Sequence, residues 1–204
     1  MKVAVVDYGA GNVVSVIKAL EHVGVDAALT ADPSAILAAD GVMFPGQGHF
    51  GQAMKRLRAS GLDKTLDSAI RSGKPFLGVC LGLQLLFEGS DEAPGVDGLS
   101  VFKGRCERFG GDVKVPQIGW NAIDVQQPGV FGALDHGRHF YFVHSFHAVP
   151  DDPSVLAATA THGAPFCAAV ARDNVMATQF HPEKSGRAGL DLLRRFVADA
   201  AGDR

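Results

Sequence analysis

The chain has 204 residues, long enough for one well-cored α/β domain, and no internal repeat, low-complexity tract or linker-like stretch divides it, so one domain over 1–204 is expected. A net charge of -3 with no basic cluster argues against sequence-independent nucleic-acid binding, leaving Arg105, Arg108, Arg194 and Arg195 as solvated surface. The apolar start Met1–Asp7 is too short for a signal peptide or membrane span, and three cysteines without zinc spacing cannot all pair, which together predict a cytoplasmic, metal-free protein of a reducing compartment.

Val3 to Asp7 reads as a buried strand. Val13 to Val23 reads as a helix, with Val13, Val16, Ile17, Leu20 and Val23 at helical spacing and Gly24 as its stop. A strand over Val25 to Leu29 follows. Asp32-Pro33 supplies a cap and a first-turn proline for the next helix, and Gly41 to Phe44 forms another short strand. Helices near Gln52–Ala59 and Leu62–Arg71 lead to an apolar run from Pro75 that ends at Cys80, with a helical-looking Leu83–Phe87 after it. This βαβα rhythm predicts a mostly parallel central sheet flanked by helices.

Beyond Gly95 the pattern changes to short extended runs, Val101–Phe102, Ile118–Val125, His139–Val143 and Val155–Ala160, broken by Gly, Pro and Asp. These predict added antiparallel strands in the C-terminal half. Phe166–Ala171 and Val175–Phe180 flank Arg172-Asp173-Asn174 as a hairpin. A closing helix starts at a Ser185 cap and carries Leu190, Leu193, Phe196 and Val197 on one face.

Three segments carry chemistry. Gly78-Val79-Cys80-Leu81-Gly82 puts a thiol on a strand-to-helix turn, where flanking glycines allow close packing; a nucleophile and a buried structural cysteine both fit this pentapeptide. His181-Pro182-Glu183 lies where the last strand gives way to the closing helix. Its imidazole can take and return a thiol proton, and its carboxylate can orient that ring. Phe44-Pro45-Gly46-Gln47-Gly48-His49-Phe50 is a glycine-rich loop at another strand end, able to bring backbone N–H groups close to an oxyanion, with the Leu81 amide as a second donor. No full Gly-x-Gly-x-x-Gly follows the first strand, so a nucleotide cofactor is not expected. A parallel sheet can gather these three strand ends on one edge, which favours the nucleophile.

In order and separation, Pro45–Gly48, Gly78–Gln84 and His181–Glu183 resemble the class I, triad-type glutamine amidotransferases. The resemblance spans nearly the whole chain and implies a Cys80-His181-Glu183 triad, an oxyanion site at Gly46, Gly48 and Leu81, and a glutamyl thioester that releases ammonia. Asp7–Asn12, Lys114–Asn121 with its Gly-Trp-Asn, Tyr141–Phe146 and Lys184-Ser185 are further similar to the glutaminase subunits of imidazole glycerol phosphate synthase, with Ile118 and Phe146 as mild departures.

That resemblance implies L-glutamine held by Gln84, Glu92, His144, Ser145 and Phe146, the last through its backbone alone, with Glu92 answering the α-ammonium. It implies no cofactor and no metal. It also implies a heterodimer with a (β/α)8-barrel cyclase of histidine biosynthesis, contacted by Tyr8, Asn12, Trp120, Tyr141 and Lys184. Nothing after Arg204 could be the synthase, so a separate glutaminase subunit is expected, weakly active alone if an oxyanion donor at Gly46-Gln47 turns in only on partner binding. Another amidotransferase or a γ-glutamyl hydrolase would share the triad but lack the Gly-Trp-Asn and Lys-Ser blocks. A non-catalytic binding protein on the same fold would have a degenerate triad.

Overall fold

The computed structural model describes residues 1–9, 13–127 and 136–201. The first half alternates as expected: β1 (Lys2–Val6), α1 (Val13–His22), β2 (Asp26–Thr30), α2 (Pro33–Ala38), β3 (Gly41–Gly46), α3 (Phe50–Ser60), α4 (Leu62–Arg71), β4 (Phe76–Cys80) and α5 (Leu81–Leu85). The Asp32 carboxylate accepts from Ser34 N–H at 2.9 Å, capping α2 with Pro33 in its first turn. Gly24, at φ 87°, follows α1 in a left-handed conformation that a side chain would resist.

The second half holds β5 (Gly89–Ser90), β6 (Gly104–Arg108), β7 (Gln117–Ala122), β8 (Asp124–Val125), β9 (His139–His144), β10 (Phe146–Pro150), β11 (Leu156–His162), β12 (Ala164–Arg172), β13 (Val175–Thr178) and α6 (Gly186–Ala201). The main sheet runs β2-β1-β3-β4-β13-β12-β11-β8. Its first five strands are parallel and the remaining pairings antiparallel. Two small sheets, β10-β6-β5 and β7-β9, stand beside it.

Strand alternation feeds a core on each face. Ala4, Val6, Val42, Phe44 and Phe76 pack with α3, α4 and α5 through Met54, Leu57, Leu66 and Leu83. Val3, Val5, Met43, Leu77 and Val79 pack the other way, against Val16 and Leu20 of α1 and Leu192, Leu193 and Phe196 of α6. Each large side chain so buried contributes roughly 1.5–3 kcal/mol, and this double core holds the C-terminal strand ends in place.

Some expectations shift. Val101–Phe102 is a bend, while Gly104–Arg108 and Phe146–Pro150 are strands. Ile118–Val125 divides at Ile123 into β7 and β8, which join different sheets. In α6 the buried positions are Gly189, Leu192, Leu193 and Phe196, with Leu190 and Val197 at the margin. The Ser185 hydroxyl does not cap that helix. It donates to the His181 carbonyl at 2.6 Å and accepts Tyr141 N–H at 3.0 Å, tying the turn before α6 to β9.

Candidate active site

Cys80 closes β4 with φ 55° and ψ −108°, a conformation that costs a non-glycine residue about 1–3 kcal/mol. The strain is maintained from both sides. A Cβ on Gly82 would overlap the Phe44 carbonyl of β3, and one on Gly78 would press on Ala177 Cβ and the Gly82 backbone. The glycines therefore let β3, β4 and α5 converge behind the thiol. Of the three free cysteines, Cys106 and Cys167 are buried in the core, where desolvation raises both thiols. Cys80 alone among them lines a cavity of about 320 Å³.

β13 pairs with β4 in parallel, Thr178 beside Val79, so the residues that follow β13 arrive next to Cys80. His181 N–H bonds to the Tyr141 carbonyl at 2.9 Å, and Pro182–Lys184 form a single tight helical turn. That turn folds Glu183 back onto the imidazole: His181 Nδ1 lies 2.7 Å from Glu183 Oε1. With Nδ1 so engaged, the buried Nε2 has no other hydrogen-bond partner and remains for the thiol. Burial alone would lower His181, but the charge of the Cys80 sulfur, reinforced by Glu183, outweighs it and raises the imidazole to about 10.

The same cavity is lined by Gln47, Gly48, Leu81, Gln84, Glu92, Pro116, Val143, His144, Ser145 and Phe146. Every residue expected to hold substrate is thus brought to the thiol and imidazole. Glu92 is aimed by Phe50 N–H at the start of α3, which donates to its Oε2 at 2.7 Å. His144 donates through Nδ1 to the Phe146 carbonyl at 2.8 Å, and its burial lowers it to about 3, so it is a neutral ring at ordinary pH. The carbonyls of Phe146 and Ser145 are already occupied, the first by Gln84 Nε2 and His144, the second by Phe109 N–H. Their backbone contribution to a ligand is accordingly restricted to what those bonds leave free.

Gly46 and Tyr8 need correction. Gly46 faces a separate small cavity with Val16, His181, Glu183 and Lys184, whereas Gln47, Gly48 and Leu81 reach the main one. Tyr8, expected at a partner surface, is buried against Phe44 with ring centroids 5.4 Å apart. Its hydroxyl fills the space that a side chain on Gly46 would need, and burial together with the Cys80 charge raises its phenol. The remaining surface positions do cluster. Trp120 is 56% exposed and meets the Tyr141 ring at 6.2 Å, with Lys184 Nζ 5.9 Å from that ring. Asn12 lies outside the described residues.

A residue not singled out from the sequence also reaches the thiol. Gln179 donates from Nε2 to Cys80 Sγ at 3.6 Å. Its signal was positional only: two places before His181, next to Cys80 once the strands pair.

A strained thiol at the C-terminal end of a parallel strand, sharing one cavity with an imidazole that a buried carboxylate backs, defines the scaffold of a thiol-dependent acyl-transfer enzyme. Residues 4–200 match the family model "Glutamine amidotransferase class-I". Among solved structures, one titled as a glutamine amidotransferase superposes with TM-score 0.76 at 22% identity, covering 98% of each chain. The glutaminase domain of Trypanosoma brucei CTPS superposes with TM-score 0.71 at 15% identity, covering 100% of this chain and 95% of that one. Curated relatives are nearer in sequence. Imidazole glycerol phosphate synthase subunit HisH of Syntrophotalea carbinolica is 50% identical over 202 residues, covering 95% of this chain and 98% of that protein. HisH of Rhodopirellula baltica is 50% identical over 197 residues, covering 96% of each. The chain belongs to the class-I glutamine amidotransferases and, within them, to the family of the HisH subunits.

Proposed function

We propose that this chain is the glutaminase subunit of an imidazole glycerol phosphate synthase, using Cys80 as nucleophile, His181 as acid and base, and Glu183 to orient His181. The observation that carries the reading is the meeting of Cys80, His181, Gln84 and Glu92 in one cavity of about 320 Å³, with Glu183 2.7 Å behind the imidazole. L-Glutamine enters with its α-ammonium toward Glu92. The Cys80 thiolate attacks the side-chain amide carbon, and the charge developing on the amide oxygen is met by backbone N–H groups of Leu81 and of Gln47-Gly48, which line the same cavity. The His181 imidazolium gives its proton to the departing nitrogen, the C–N bond breaks to release ammonia, and the acyl group stays on Cys80 as a glutamyl thioester. Water then loses a proton to His181 and attacks the thioester, yielding glutamate and regenerating the thiolate–imidazolium pair.

Ammonia passes to a (β/α)8-barrel cyclase subunit that docks on the surface carrying Trp120, Tyr141 and Lys184, in the cytoplasm. The family's subunit names support a partner, and the exposure of Trp120 beside Tyr141 supports that surface. Among the described residues no helix is long and apolar enough to cross a membrane.

The test is Cys80→Ala assayed in the complex. Glutamine-dependent cyclisation should be lost while activity with added ammonium salt persists. Equal loss of both activities would overturn the nucleophile assignment.

A further inference from the structure

Gln179 is wholly buried, and the strand register explains its position: Thr178, the last residue of β13, pairs with Val79, so the residue that follows arrives beside Cys80. Its backbone is held by an N–H bond to the Ala168 carbonyl at 2.8 Å. Its amide is held by Gln84, whose Nε2 donates to Gln179 Oε1 at 3.0 Å and to the Phe146 carbonyl at 2.9 Å.

This arrangement fixes which end of each amide is which. The Phe146 carbonyl can only accept, so the Gln84 atom beside it is the nitrogen. That nitrogen in turn requires the oxygen of Gln179, which leaves the Gln179 nitrogen facing Cys80 Sγ at 3.6 Å. The reverse orientation would oppose two NH₂ groups and present a lone pair to the sulfur.

We propose that Gln179 is a further catalytic residue, donating a hydrogen bond that favours the Cys80 thiolate while holding the Gln84 amide in the orientation in which it meets the substrate. The inference rests on Cys80 being the nucleophile. A thiolate accepts a hydrogen bond more strongly than a thiol does, so a donor fixed on Sγ shifts the balance toward the reactive form. Gln179 also connects Gln84, on α5, to the nucleophile through a single side-chain amide. A buried glutamine with a merely structural role would be satisfied by its bonds to Gln84 and the backbone, and would leave the thiol's ionisation alone.

The test compares the full-length wild-type chain with Gln179→Met and Gln179→Glu. Cys80 alkylation by iodoacetamide is followed by mass spectrometry across pH, and glutaminase kcat and KM are measured in the complex. Methionine is close in length and has no donor. The pH midpoint of Cys80 alkylation should rise by about one unit, alkylation at neutral pH should slow about tenfold, and kcat should fall further than KM rises. Gln179→Glu keeps an acceptor for Gln84 but turns a carboxylate to the sulfur, so its midpoint should rise at least as far. Should the methionine variant fail to fold, Gln179→Leu, which also lacks a donor and adds no charge, decides in its place. Midpoints matching wild type in the folded variants would overturn the role of Gln179. Failure of a glutamine-mimicking chloroketone to label Cys80 in the wild-type chain would instead overturn the nucleophile assignment, so the two failures are separable.

Discussion

His181 and Glu183 are joined through Nδ1 and Oε1 at 2.7 Å, with side chains only 6% and 3% exposed. Two residues apart in sequence, they are brought face to face by the tight turn at Pro182–Lys184. Water scarcely competes for this bond, so it fixes both the tautomer and the ring plane. Glu183→Gln keeps an acceptor in place but removes the charge that supports imidazolium. Glutaminase kcat should fall roughly 100-fold or more with KM little changed. Steady-state kinetics of the complex check this, and a fall of less than threefold would mean that Glu183 only packs.

The elbow, the His-Pro-Glu turn and the glycine loop were legible because each combines residue types that the chemistry needs with a place at the end of an apolar strand. The parallel half of the sheet was legible because β1, β3 and β4 are short, nearly continuous apolar runs alternating with helical segments. Strand β6 was not, since its outward residues Arg105 and Glu107 mask the inward pair Gly104 and Cys106. Tyr8 was misplaced because an isolated tyrosine after a strand reads equally as surface or core; its burial depends on Phe44, which arrives from β3. Gln179 was invisible for the same reason, its partners Cys80 and Gln84 being 99 and 95 residues away. Contacts of that range depend on register between strands, which local pattern does not carry.

Trp120 and Ile118 stand on the same face of β7, exposed by 56% and 60%, and Trp120 meets Tyr141 across the β7-β9 ribbon. Large aromatics left half in water contribute little to the fold but much when a partner removes that water. Trp120→Ala should therefore leave the melting midpoint of the isolated chain within about 2 °C. It should weaken cyclase binding about 10- to 100-fold, the usual range for an aromatic anchor. Titration calorimetry or a binding-induced rise in glutaminase activity measures the effect, and unchanged affinity would move the interface elsewhere.

His144 packs among Phe109, Phe142 and Phe166, and desolvation lowers it from 6.5 to about 3 despite the Phe146 carbonyl that accepts its Nδ1–H. Between those values the unfolded chain binds a proton that the folded chain refuses, so stability must fall as pH falls through that window. The expected loss from pH 7 to about pH 5 is about 2 kcal/mol from this residue, with His147, also lowered by burial, adding in the same direction. His181 acts oppositely, its raised value costing stability only as pH climbs above 6.5 toward about 10, and leaves the acid window alone. Urea denaturation at both acid and neutral pH should show the slope. His144→Gln, which cannot be protonated, should flatten it even though the variant is less stable at pH 7; an unchanged slope would place the acid sensitivity in other groups.

Gly82 sets two effects against each other. It lies in α5 with an ordinary helical backbone, where alanine would be preferred by roughly 1 kcal/mol. A Cβ there, however, would overlap the Phe44 carbonyl, and that atom belongs to β3, whose register with β4 pairs Gly46 with Cys80. A flexible side chain could move aside; a backbone carbonyl inside a parallel ladder cannot without shifting the strand. The overlap wins, and Gly82→Ala should cost about 2 kcal/mol or more and reduce kcat at least tenfold by displacing the Cys80 elbow. Gly110, where an added Cβ would meet nothing within 4 Å and φ is not left-handed, supplies the contrast: Gly110→Ala should leave both melting midpoint and kcat near wild type. Equal behaviour of the two alanine variants would show that α5 can back away from β3, and that the close approach is not what holds Cys80 in its strained conformation.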